Sequence, residues 1–153
     1  MMTLWGNYMQ SFETLGLLAS IDRELLEERA IRLLECLADN DADEAMTFFA
    51  PHATVNFGRD HRAMPFFGSY EGREGIRRAL REIEIEYDVL RQDICDVVVD
   101  RDRVVARRVC RMRHRGTGKV SNVEFCDWLQ FQDGYVSALN LAPETLPLVE
   151  LVD

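Results

Sequence analysis

The chain has 153 residues, of which 47% are hydrophobic and 29% charged, and its formal net charge is −9. That composition supports a packed globular core and excludes disorder, and no apolar run is long enough to cross a membrane as a helix. The negative charge argues against nucleic acid, whose binding rests on neutralising phosphates, and against anionic lipid. A small neutral or cationic ligand, or a protein partner, fits better.

The length suits one domain, and no linker or repeat divides it. Residues 1–19 read as an N-terminal extension, and 20–153 as the domain. The extension carries Leu4, Trp5, Tyr8, Phe12, Leu15, Leu17 and Leu18, too apolar to float free, and is expected to pack on the body or on a second subunit. Met1 to Gln10 have neither the positive charge nor the apolar stretch of a secretory signal. Ser20 then caps a helix with Ile21, Leu25, Leu26, Ala30, Leu33, Leu34 and Leu37 at helical spacing, ending at Asn40. Asp41 and Glu44 have the spacing of a capping box for a short helix over 43–49, which Pro51 stops.

Ala53 to Phe57 alternates as a strand, ended by Gly58. A polar and aromatic loop runs from Arg59 to Glu71. Gly72 opens a third helix with Ile76, Leu80 and Ile83 on one face. Strands follow over 86–99, 103–114, 121–132 and 135–141, with Gly116-Thr117-Gly118 and Asp133-Gly134 as hairpin turns. Pro143 and Pro147 end the ladder, and the apolar tail is expected to pack. The order α-α-β-α-β-β-β-β predicts an α+β fold: three helices packed on a strongly curved mixed or antiparallel sheet, enclosing a conical hollow.

Cys36, Cys95, Cys110 and Cys126 show no C-x-x-C spacing and read as small buried hydrophobes of a reduced, cytoplasmic setting. No His/Cys pair has ligand spacing, so neither metal nor cofactor is expected.

Three stretches carry a family likeness: Leu37 to Asp41 through Phe48 to Val55, Tyr70 to Arg77, and Asp127 to Gly134. They resemble the SnoaL-like and ketosteroid-isomerase-like families of the nuclear-transport-factor-2-like (NTF2-like) superfamily, whose fold is a cone-shaped barrel. The resemblance implies a pocket for a small hydrophobic or cyclic organic molecule; a homodimer is expected on separate grounds, from Trp128 on the outer face of the sheet. The resemblance also implies, if the chain is an enzyme, a cofactor-independent isomerase, cyclase or lyase. On the steroid-isomerase pattern Asp127 falls on the protonated acid, the general-base position on Phe57 and the tyrosine position on Leu33. Limonene-epoxide-hydrolase relatives use an Asp-Arg-Asp set. Arg108 and Asp127 supply two members, but no second strand acid has the right phase. The three histidines do not converge as the pocket of scytalone-dehydratase relatives requires.

Asp127 is also conspicuous without the family. It shares a strand face with Val123, Phe125, Leu129 and Phe131, and an acid in an apolar stripe must be paired or protonated. It is either a proton shuttle lining a pocket or a structural acid bonded to Arg108, Tyr70 or a backbone donor. On the preceding strand Ala106, Arg108, Cys110, Met112 and His114 share the face expected to point inward. His114 is placed near the pocket mouth as an acid or base, or as a solvated hairpin residue. Arg107, Arg111 and Arg113 are expected outside, in solvent, on an anion or across a dimer contact.

The 59–70 loop combines Asp60 and His61, the best replacements for the missing base, with Phe66, Phe67 and Tyr70. These aromatics either close the pocket as a lid or plug the core. The expected pocket comprises Leu33, Phe57, Phe66, Phe67, Tyr70, Arg108, Cys110, Met112, Phe125 and Leu129. Trp128, on the polar outer face with Glu124, Cys126 and Gln130, is expected to mark a dimer contact. The alternative to an enzyme is a non-catalytic ligand-binding or accessory dimerisation module.

Overall fold

A computed structural model describes residues 22–58 and 68–153. The expectations for residues 1–19, Asp60, His61, Phe66 and Phe67 lie outside the described residues. Helix α1 covers 22–38, and its apolar stripe Leu26, Ala30, Leu33 and Leu34 is buried. Asn40 ends the turn at φ 55, a left-handed conformation that asparagine tolerates at helix ends.

Helix α2 is Ala42–Met46, shorter than predicted. Asp41 caps it by accepting the Glu44 N–H at 3.1 Å. The Glu44 carboxylate turns away to Arg32, at 3.1 Å, so the capping box is only half formed. Glu84 of the next helix instead accepts the first α2 N–H, that of Ala42, at 3.0 Å.

Strand β1 (Phe49–Phe57) starts inside the predicted helix and runs through Pro51. Proline donates no ladder hydrogen bond, and the register against the neighbouring strand shifts between Phe49 and Thr54, where the proline sits. Strand β2 (Gly68–Glu71) pairs antiparallel with Thr54–Phe57, where the sequence reading placed only loop. Helix α3 is Gly72–Glu86, and Gly72 enters it at φ 78.

Strands β3 (Tyr87–Asp100), β4 (Arg103–His114), β5 (Val120–Gln132) and β6 (Tyr135–Pro143) then form the predicted meander. Asp133 and Gly134, at φ 53 and 81, make the two-residue turn between β5 and β6. The chain ends in a fourth helix, α4 (Thr145–Val152), where the tail was expected only to pack. Its Pro147 is the third helical residue, inside the first turn, where a missing N–H costs no internal bond.

The six-stranded sheet has the order β2-β1-β6-β5-β4-β3, with β1 and β6 parallel and the other pairs antiparallel. Two register shifts in the β3–β4 pair, and one between β5 and β6, bend it. The sheet stays open, with β2 and β3 as its edges. The fold is α+β, with helices on a curved mixed sheet.

Alternation decides the two faces of the sheet. Val104, Ala106, Arg108, Cys110, Met112 and His114 of β4 are buried, as are Val123, Phe125, Asp127, Leu129 and Phe131 of β5. The outer face is polar: Arg107 reaches Asp96 at 2.8 Å and Glu124 at 3.2 Å, and Arg113 reaches Asp88 at 2.6 Å. Arg107 and Arg113 thus find acids on their own sheet, in exposed pairs worth about 0–1 kcal/mol, while Arg111 donates to the Asn122 amide oxygen at 3.4 Å. Trp128 stands among them, 50% exposed. Cys36 and Cys110 are buried as expected, but Cys95 and Cys126 are exposed, because their strand phase points outward.

His114 closes the β4–β5 hairpin. Its Nδ1 accepts the Thr117 N–H at 3.1 Å, so Nε2–H donates to Glu86 at 2.9 Å. The Thr117 hydroxyl donates to the Leu151 carbonyl at 2.6 Å, tying the hairpin to α4. A Cβ on Gly116 meets the His114 ring at 2.9 Å, and a ring held at both nitrogens has nowhere to move. Gly116→Ala is therefore expected to cost about 1–3 kcal/mol. Gly75→Ala, in α3 with open space around its Cβ, should stabilise by about 0.5–1 kcal/mol. Urea denaturation of both variants checks the pair. Equal effects of the same sign would contradict this account.

Candidate functional site

The β4–β5 register sets Arg108 opposite Phe125 and Ala106 opposite Asp127, all pointing inward. Arg108 therefore reaches diagonally across the strands to Asp127. Its Nε donates to Asp127 Oδ2 at 2.5 Å, and Nη2 donates to Oδ1 at 3.5 Å. Both carboxylate oxygens are engaged by one guanidinium edge. The pair is buried, with Asp127 at 0% and Arg108 at 4% exposure.

Three further groups fix the guanidinium. Nη1 donates to Gln92 Oε1 at 3.1 Å and to Cys110 Sγ at 3.3 Å. The Arg108 Cζ lies 4.1 Å from the centre of the Phe125 ring, a cation–π contact. Gln92, on β3, is itself anchored because its Nε2 donates to the Leu34 carbonyl of α1 at 3.2 Å. Of the five N–H bonds of an arginine side chain, one on Nη2 has no partner among the described residues.

Charge and burial oppose one another here. Burial pushes the Asp127 carboxyl above its ordinary value, while the charge and hydrogen bonds of Arg108 pull it down. Burial by itself disfavours the Arg108 cation, but the Asp127 charge, Cys110 and the bonds to both hold its pKa above the ordinary value. Burial also raises the Cys110 thiol. As a thiol it donates to Gln92 Oε1 at 3.6 Å.

Arg108 forms part of the wall of a cavity of about 70 Å³ between sheet and helices. The wall is mostly apolar: Phe57, Leu80, Val89, Met112, Phe125 and Leu141 contribute to it. The cavity has room for a small group, well short of the roughly 300–1,000 Å³ that takes a drug-sized ligand. Cys36, Asn40 and Glu84 add polar atoms on the helical side.

The predicted pocket divides accordingly. Phe57, Arg108, Cys110, Met112 and Phe125 line the cavity. Leu33 and Leu129 are buried core residues that do not reach it, and Tyr70 packs edge-on against Phe57, ring centres 5.7 Å apart. Asp127 shares the inward face but sits behind Arg108, away from the wall. His114 is six residues along β4 from Arg108, roughly 20 Å at strand rise, with Nδ1 occupied by the hairpin and Nε2 by Glu86 at the end of α3.

Sequence reasoning passed over Gln92, Cys36, Asn40 and Glu84. Glu84 had a visible signal: it follows Leu80 by four and Ile76 by eight, on the buried stripe of α3. Gln92 had none, because the register shifts of β3 decide which of its side chains point inward.

Comparison with known proteins adds a family. The SnoaL-like domain matches residues 30–138. A search of curated proteins found no match. Among solved structures, a candidate isomerase of Rhodopseudomonas palustris superposes with TM-score 0.69 at 22% identity, covering 78% of this chain and 89% of that one. A candidate polyketide cyclase of Xanthomonas campestris gives TM-score 0.69 at 16% identity, covering 86% and 98%. An epoxide hydrolase of M. tuberculosis, of the limonene-epoxide-hydrolase-like type, gives 0.68 at 12%, covering 86% and 92%. At these identities the likeness is one of fold.

Removing one member of the buried pair strands the other charge. Asp127→Ala is expected to cost about 3–5 kcal/mol, while Asp127→Leu combined with Arg108→Met recovers most of that loss. Denaturant unfolding of the single and double variants measures this. A double variant that loses as much as the sum of the singles would show that the two side chains do not act as a pair.

Proposed function

The chain belongs to the SnoaL-like domain family, and from that premise we propose that it binds one small, mostly apolar organic molecule in the cavity beside Arg108. The observation that carries this reading is one N–H of a cavity-lining guanidinium that has no partner among the described residues, while its other donors are all engaged. A fixed donor in a mostly apolar wall fits a ligand with one acceptor oxygen, and apolar contact supplies the rest of the affinity. Asp127 serves as a positioning residue, holding Arg108 by both oxygens. Phe57 and Leu33, apolar where the steroid-isomerase pattern has its base and tyrosine, suit binding.

A second reading is a cofactor-free isomerase, cyclase or lyase. Arg108 favours it, because a pre-set donor on a carbonyl oxygen stabilises the charge that develops when a neighbouring proton leaves. Asp127 acts as the proton shuttle in that case only if one of its oxygens is released from Arg108 during turnover.

Screening ketones and amides of four to six heavy atoms by thermal denaturation tests the binding reading. A ligand at a hundred times its Kd stabilises by about 2.7 kcal/mol, on the order of 5–10 °C for a chain of this size. The shift should vanish in the Arg108→Met/Asp127→Leu protein, which keeps the core filled. A shift that survives in that protein, or the absence of any shift across the screen, would contradict the reading.

A further inference from the structure

The cavity has two polar poles of different character. At the sheet end stands Arg108, whose positive charge is matched by Asp127 directly behind it. That end is neutral overall. The fork of the guanidinium, the Nε and Nη2 edge that a carboxylate prefers, is already filled by Asp127. What remains is a single N–H, suited to one carbonyl oxygen.

At the helical end stands Glu84, on the wall with Asn40 and Cys36. Its Oε1 takes the Ala42 N–H, and no ion-pair partner for it occurs among the described residues. The Asn40 amide donates to the Tyr87 carbonyl at 3.4 Å. Around this end the field is negative. The Cys36 thiol is pushed up by burial first and then by Glu44 and Asp41, with Asp39 adding a smaller push and Arg32 opposing.

Of the three charged side chains on or directly behind the wall, Arg108 and Asp127 cancel, and Glu84 leaves one negative charge. An anion brought into this space would be uncompensated, and its desolvation would oppose binding. An ammonium group would meet Glu84 as a charge-assisted hydrogen bond.

Resting on the binding proposal above, we propose that the preferred ligand is a compact organic amine carrying a carbonyl group, with its oxygen on Arg108 and its ammonium on Glu84. Carboxylic acids are selected against. Neutral carbonyl compounds of the same shape bind more weakly, through the Arg108 pole alone. Glu84 thereby becomes the specificity-determining residue of the cavity, while its bond to Ala42 ties the occupied site to the start of α2.

Three matched probes separate these statements: glycinamide, propionamide and propionate. Each has five heavy atoms, about what a cavity of this size holds, and they differ in charge. Titrations followed by the ¹³C-methyl signal of Met112, which lines the cavity, report binding at the site itself. The amine is expected to bind about tenfold more tightly than the neutral amide, since a hydrogen bond to a charged group commonly carries that much. The carboxylate should bind weakest. In Glu84→Gln the Ala42 N–H keeps an acceptor, so the fold is retained. There the advantage of the amine over the neutral amide should disappear while the neutral amide binds as before.

Equal binding of amine and neutral amide to the unaltered protein would overturn the inference and leave the Arg108 reading intact. So would an amine advantage that persists in Glu84→Gln, or tightest binding by the carboxylate. Failure of all three probes to shift Met112 would overturn both.

Discussion

One buried ion pair organises the functional end of this molecule. Asp127 and Arg108 sit on the inward faces of adjacent strands, in a layer otherwise filled by Ala106, Phe125, Leu129 and Cys110. Neither charge tolerates that environment alone, since an isolated ion in an apolar interior costs several kcal/mol. Together, and with Gln92 and the Phe125 ring, they form a closed set of contacts that holds a guanidinium still. A buried pair of this kind is weak as a source of stability, because two apolar side chains of similar volume serve the core as well. Its value lies in placement: a guanidinium held on the cavity wall, with little rotamer freedom to lose on binding.

The rest of the fold exists around that placement. β4 and β5 carry the pair, and β3 brings Gln92 against it. α1 secures Gln92 through the Leu34 carbonyl. α1 and α3 supply the opposite wall, with Cys36 from one and Glu84 from the other. At the far end of β4 the His114 hairpin is tied to α4 and leaves the cavity alone. Midway along α1, Arg29 lies 5.0 Å from the Phe48 ring centre and 5.3 Å from that of Tyr135, and donates to the Gly134 carbonyl at 2.7 Å. That clamp ties the helix to the β5–β6 turn.

Strict two-residue alternation made the inward faces of β4 and β5 legible in the sequence, and with them Asp127, Arg108, Cys110, Met112 and Phe125. The α+β class followed from the order of helical and alternating segments. Where the signal was local and weak, it misled: β2 is too short to alternate visibly, and β1 begins within residues that also suit a helix. The sequence also could not say which of its two states Asp127 adopts. Alternation puts an acid on a face, but the choice between a lone carboxyl and an ion pair depends on a diagonal neighbour 19 positions away. Glu84 was readable from helical spacing, yet Ile83 beside it drew the eye as the apolar member of the stripe. Gln92 was unreadable, because a register shift set its phase.

The central claim is that Asp127 immobilises the Arg108 side chain. Side-chain ¹⁵N NMR of the arginines measures this directly, with Arg108 assigned by its loss in the Arg108→Met/Asp127→Leu protein. The account predicts separate, slowly exchanging Nη proton signals for Arg108, with rotation about its Nε–Cζ bond arrested, and their collapse to an averaged signal in Asp127→Asn. An Arg108 signal already averaged in the unaltered protein, like those of the exposed arginines, would contradict it.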